Sequence, residues 1–285
     1  MLILQDHTDA VRCLSYSPDG RWLATGSEDK TVRLWDLTTH AAAVLKHESS
    51  VETLAFRPQG DILATGTAVG ELLFWDISRR RRRYVHQAHR GGVRDLTFSS
   101  DGESFATVGW DRLVKSWDGT AAEQPQILVN DRSGSRLAYS PDGRTLALGI
   151  EDGTILWFDV AGWRPTHVDG LSRLDALAWS HDGRLLASGH ADGTITLWQG
   201  HRVQTTLRGH TWTIYTLAFT PDSRTLISGG ADGTVRLWDA ATGRECRCYR
   251  WHKSWVTCVS VAPDGMTAAA GSADHTVVVW DLDDV

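Results

Sequence analysis

Residues 23–36 read LATGSEDKTVRLWD, and near copies follow: LATGTAVGELLFWD over 63–76, LALGIEDGTILWFD over 146–159 and LISGGADGTVRLWD over 226–239. The aromatic near the end of each copy recurs as Trp35, Trp75, Trp117, Phe158, Trp198, Trp238 and Trp280, at spacings of 40, 42, 41, 40, 40 and 42 residues. A fixed period of this length marks a repeat architecture, so seven units of one kind account for residues 1–285 as a single domain. Upstream of the aromatics stand turn signals such as Ser17-Pro18-Asp19-Gly20 and Ser140-Pro141-Asp142-Gly143. Proline presets φ and glycine accepts positive φ, so each signal favours a tight reversal between two strands.

Within a unit, short runs such as Thr31-Val32-Arg33-Leu34-Trp35 alternate at period two and are rich in β-branched residues, the pattern of half-buried strands. Four runs per unit cannot cover both faces of their own sheet, and radial stacking of four-stranded sheets closes a ring. The expected fold is therefore all-β, a seven-bladed propeller of four-stranded antiparallel blades.

Composition narrows the function classes. With 29 basic and 35 acidic residues the net charge is −6, which argues against nucleic-acid binding by the whole surface. No apolar run reaches membrane-spanning length, and Met1-Leu2-Ile3-Leu4 is too short for the apolar region of a signal peptide. Four cysteines with no paired Cys-x-x-Cys fit reduced thiols. Cys246 and Cys248 lack ligand-spaced companions, and Cys13 and Cys258 fall at equivalent inner-strand positions of units expected to adjoin. The expectations are a cytoplasmic, monomeric domain with no metal, no cofactor and no membrane association.

The chain resembles the WD-repeat family of β-propellers over essentially its whole length. The family's Gly-His element stands at Gly209-His210, with His alone at His7, His47, His89 and His252. Its terminal Trp-Asp stands at Trp35-Asp36, Trp75-Asp76, Trp117-Asp118, Trp238-Asp239 and Trp280-Asp281, and drifts to Phe158-Asp159 and Trp198-Gln199. The resemblance implies that the outermost strand of one blade opens the next sequence unit. The seventh blade then lacks a strand, which residues 2–5 are expected to supply, closing the ring.

His, Ser or Thr, and Asp recur together and imitate a hydrolase triad. The set His7, Thr25, Asp29, Trp35 returns as His89, Thr107, Asp111, Trp117 and as His210, Ser228, Asp232, Trp238. Three copies do not mark one active site, and the resemblance implies a structural network in which Asp accepts from His, His meets the hydroxyl, and the indole N–H finds a partner. Other blades have lost members: Val69 replaces Asp in blade 2, Gly170 replaces His in blade 5 and Ala270 replaces the hydroxyl in blade 7. Blade 4 has Asn130, Leu148 and Phe158 for His, hydroxyl and Trp, leaving Asp152 alone, and is expected to open most easily.

The family's partner contacts often come from the position before the turn Asp and from three and five positions after the loop His. Carried onto this sequence, those positions select Trp110, Tyr215 and Trp255, the cations Arg12, Arg94 and Arg173, and the acids Glu28, Glu52, Glu151 and Asp175. Trp212 is a further candidate near this rim. Aromatics and arginines dominate protein recognition, so the expected function is a non-enzymatic scaffold that binds a peptide or protein loop on the top face. Two alternatives are an anionic partner such as RNA, held by Arg79-Arg80-Arg81-Arg82-Arg83, and an enzyme carried on the propeller. The arginine run otherwise reads as a charged edge that discourages strand pairing.

Overall fold

The computed structural model describes residues 1–39, 41–119, 124–129, 131–168, 170 and 172–282. These form 28 strands in seven four-stranded antiparallel sheets, with no helix among them. Blade 1 runs outward through Val11–Tyr16, Trp22–Ser27, Thr31–Asp36 and Ala42–Lys46. Each later blade repeats this order, and the innermost strands of neighbouring blades pack side by side around a central channel.

The ring closes as the repeat phase requires. Leu2–Leu4 pairs antiparallel with Val277–Asp281, with Leu2 opposite Val279, Ile3 opposite Val278 and Leu4 opposite Val277. The first strand of the chain thus becomes the rim strand of blade 7 and covers an edge that would otherwise carry unpaired backbone.

The core lies between blades rather than inside them. One apolar cluster joins Ala24, Leu34 and Leu45 of blade 1 to Val51, Phe56 and Trp75 of blade 2. Another joins Leu14, Leu23 and Trp35 of blade 1 to Ala269 and Val277 of blade 7, with Leu4 of the closing strand among them. A sheet with two apolar faces needs a neighbour on each side, and the ring supplies one to every blade. The blades approach closely enough to require glycine at the contact. At Gly229 a methyl group would lie 2.5 Å from Val256 Cγ1 of the next blade.

Candidate functional site

In blade 1 the polar network is a directed chain. Trp35 Nε1 donates to Thr25 Oγ1 (3.0 Å), which is also 2.8 Å from His7 Nε2, and His7 Nδ1 is 2.7 Å from Asp29 Oδ2. An ionised carboxylate only accepts, so the imidazole proton sits on Nδ1 and Nε2 accepts from the hydroxyl. Blade 3 repeats it through Trp117, Thr107, His89 and Asp111. Blade 6 repeats it through Trp238, Ser228, His210 and Asp232. Burial holds the His7 and His89 imidazoles below their ordinary pKa, against the pull of Asp29 and Asp111. Partial burial alone would raise the Asp29 carboxyl, yet bonds from Thr31 and His7 bring it below the usual range. Thr25, Thr107 and Ser228 are completely buried. A hydroxyl that no substrate can reach, already engaged by an indole, is not positioned as a nucleophile.

The depleted blades differ from one another. In blade 2, His47 Nδ1 donates to the Leu45 carbonyl (3.1 Å) in place of the missing Asp, while Thr65 still joins His47 and Trp75. In blade 5, where Gly170 stands at the His position, an imidazole comes instead from the end of the second strand. His190 Nε2 lies 2.9 Å from Ser188 Oγ, which receives the Trp198 indole, and its Nδ1 donates to the Ser172 carbonyl. Gly170 stands where the loop histidine would be because a Cβ there would lie 1.8 Å from the Gly153 carbonyl oxygen. In blade 7, with Ala270 at the hydroxyl position, His252 Nε2 and Trp280 Nε1 are buried without a partner. In blade 4, Leu148 and Phe158 are fully buried and Asp152 caps its own turn through the Thr154 amide; Asn130 lies outside the described residues.

His47 carries a pH prediction. Desolvation, aided by the Arg82 charge, lowers its pKa from 6.5 to about 4. A depressed folded-state pKa means that folding favours the neutral ring. The stability it confers is full above pH 6.5 and is lost as pH falls through about 4. The melting temperature should therefore decline across that window, and less steeply in a His47→Gln variant; parallel profiles would refute this.

On the top face, where the second-to-third-strand turns and the inter-blade loops meet, the non-repeated residues converge on one cavity of about 280 Å³ at the mouth of the channel. Its wall holds the three aromatics Trp110, Tyr215 and Trp255 and the three cations Arg12, Arg94 and Arg173. Glu52 and Asp175 complete the predicted set there. Glu28 and Glu151 sit just outside and reach in through ion pairs, Glu28 with Arg12 at 3.6 Å and Glu151 in close contact with Arg94. Arg12 also pairs with Glu52 (3.4 Å), and Arg173 with Asp175 (2.9 Å). Tyr215 and Trp255 touch as tilted rings 5.9 Å apart, and the Arg94 guanidinium lies 5.8 Å from the Trp110 ring centre, within cation–π range. Trp110, Trp212 and Trp255 are 69%, 66% and 51% exposed, although Trp212 is not part of the cavity wall. Arg136 of the blade 4 inner strand also lines this wall, a residue that the loop-position rule does not select. Its signal lay in the third residue of each inner strand, which is Cys13, Thr53, Ala176, Thr216 or Cys258 in five blades but Asp95 and Arg136 in adjacent blades 3 and 4.

The arginine run opens and enters the rim strand of blade 2, Arg81–Gln87. Arg79 and Arg83 both hold Asp76 Oδ2, at 2.9 and 3.0 Å. The Arg80 guanidinium lies 5.7 Å from the Trp22 ring, which Arg21 also approaches at 4.9 Å. Three of the five arginines are thus engaged within the blades. The four cysteines are free thiols, with Cys13 and Cys258 buried, and no cluster of metal-ligating side chains occurs among the described residues.

Comparison with known proteins agrees with this geometry. Residues 2–198 match the family model described as the IFT122 first beta-propeller, and residues 201–239 and 243–281 match the WD domain, G-beta repeat. The chain belongs to the WD-repeat β-propellers. The propeller is 58% identical over 38 residues to the ribosome biogenesis protein BOP1 of Rattus norvegicus, a match covering 13% of this chain and 5% of that protein. It is 27% identical over 155 residues to Protein HIR1 of Candida albicans, covering 53% of this chain and 14% of that one. The propeller thus corresponds to a small part of each of these relatives.

Proposed function

We propose that this propeller is a non-catalytic platform that binds a peptide or loop of a partner protein at the top mouth of its channel. The supporting observation is the contrast between two classes of residue. Those that repeat from blade to blade are buried in hydrogen-bonded networks. Those that differ between blades, three aromatics and the arginines among them, share one open cavity. Large rigid rings beside guanidinium groups are the side chains that contribute most at protein interfaces, and a solvent-facing tryptophan contributes little to folding. Membership of the WD-repeat family favours a protein partner over a small molecule. The arginine run is assigned to blade architecture, since Arg79, Arg80 and Arg83 are occupied by Asp76 and Trp22.

The test is affinity capture with the parent and with a Trp110→Ala, Trp255→Ala double variant. The variant should melt within a few degrees of the parent and lose its captured proteins by about tenfold or more, as expected for two central anchors. Full retention by the folded variant would refute a top-face site.

A further inference from the structure

The charges around the cavity do not balance pairwise. Glu52 is taken by Arg12, Asp175 by Arg173, and Glu151 by Arg94, which also donates to the Gly134 carbonyl at 3.3 Å. Among the described residues Arg136, on the innermost strand of blade 4 (Gly134–Tyr139), makes one hydrogen bond, from Nη1 to the carbonyl of the adjacent Ser135 at 2.9 Å. No carboxylate lies within 4 Å of its guanidinium among the described residues. Asp95 acts on it electrostatically without an ion-pair contact; Asp95 Oδ1 accepts the Leu96 amide and Oδ2 the Leu137 amide of the next blade. A planar guanidinium has five donors arranged to match a carboxylate in two parallel bonds. Here most of them are unused, in the wall of a cavity flanked by Trp110, Tyr215 and Trp255.

A charge held in this way is a poor device for stability. Desolvation lowers the Arg136 pKa and raises that of Asp95, and a partly desolvated guanidinium without an ion pair is unfavourable until a carboxylate compensates it. A cation would meet acids that already carry one: Glu52 is paired with Arg12, and Asp175 with Arg173 and, at 3.9 Å, with Arg94, although Asp175 Oδ2 is buried without a hydrogen bond.

We propose that the cavity receives a carboxylate of the bound peptide, with Arg136 as its guanidinium anchor and the three aromatics packing against the residues around it. This rests on the top-face reading above and specifies the chemistry that the face selects. The carboxylate comes from an Asp or Glu side chain or from a free chain terminus.

The experiment selects random peptides displayed with free C-termini on the parent protein, then resynthesises the recovered peptides. Each is measured on the parent, on Trp110→Ala/Trp255→Ala and on Arg136→Met. Because loss of Arg136 leaves Asp95 alone, an Asp95→Asn/Arg136→Met variant is measured beside it, and all variants are checked by thermal melting. The expected result is recovery of peptides with a carboxylate at a fixed place, whose affinity falls about 10- to 100-fold on Arg136→Met or on the double variant. Replacing that Asp or Glu by its amide, or amidating the terminus, should reproduce the loss and identify which carboxylate is bound. Peptides that need Trp110 and Trp255 but bind the folded Arg136 variants as tightly as the parent would overturn the carboxylate proposal and leave the top-face reading intact. Recovery of no peptide sensitive to Trp110 and Trp255 would overturn both.

Discussion

A chain lacking residues 1–6 is expected to lose the sharp thermal transition of the parent and to aggregate. The removed segment contains the rim strand of blade 7, whose Leu4 is buried in the cluster shared by blades 7 and 1. It also contains Asp6, which accepts from Arg33 through its carboxylate and its carbonyl. Re-exposing Leu4 and part of Leu2 and breaking the ladder to Val277–Asp281 costs about 4 kcal/mol or more, a large part of the net stability of an ordinary domain. The loss is amplified by what it uncovers. Val277, Val278 and Val279 would stand on an open edge, an apolar β-branched run with unpaired backbone groups that templates pairing with another copy. Scanning calorimetry with light scattering reads both effects. A truncated chain that melts at the parent's temperature and stays monomeric would show that blade 7 does not depend on the closing strand.

Ser228→Ala and Ala270→Ser should move stability in opposite directions. The two residues occupy the same place in blades 6 and 7: Ser228 is opposite Arg236 in the ladder and Ala270 is opposite Val278, one turn of the repeat later. In blade 6 the Ser228 hydroxyl serves both the His210 Nε2 (2.7 Å) and the Trp238 indole (2.8 Å). Removing it strands two buried polar atoms, each worth about 1–3 kcal/mol unsatisfied, so Ser228→Ala should cost about 2–4 kcal/mol. Blade 7 already carries that defect, with His252 Nε2 and Trp280 Nε1 unpartnered around the Ala270 methyl. Ala270→Ser adds one oxygen between them and should gain about 1 kcal/mol, less than the mirror loss because a packed site must accommodate the added atom. Urea midpoints give the sign, and hydrogen exchange of the Trp280 indole proton gives the mechanism. A destabilised Ala270→Ser protein with unchanged indole exchange would refute the shared geometry.

The fold was legible because its determinants are local and repeated. Period-two alternation, Pro-Asp-Gly reversals and the recurrence of Trp35 through Trp280 every 40 to 42 residues are carried by short segments, and seven repetitions outweigh the drift in any single unit. The phase of the repeat, with three strands after Trp255 and a spare one at Leu2–Leu4, also specified the closure. What the sequence left open depends on distances across the ring. Gly170 reads as a lost histidine, yet His190, twenty residues later, supplies the imidazole to Ser188 from the other side. Five consecutive arginines read as a charged edge and are exposed, but only the folded ring shows that Asp76 binds two of them and that a third lies over Trp22.

The top-face residues show where the boundary falls. Position within the repeat located Trp110, Arg94 and Asp175 on one side of the propeller, because each lies at a fixed offset from a turn or loop. Which charges neutralise one another was settled only by tertiary structure. Arg94 reaches from blade 3 to Glu151 of blade 4, while Arg136 forms no ion pair within 4 Å among the described residues. Strand propensity and turn geometry act over a few residues and can be read along the chain. Ion pairing such as that of Arg94 with Glu151 acts over a few ångströms between residues of different blades, and that proximity exists only once the ring is formed.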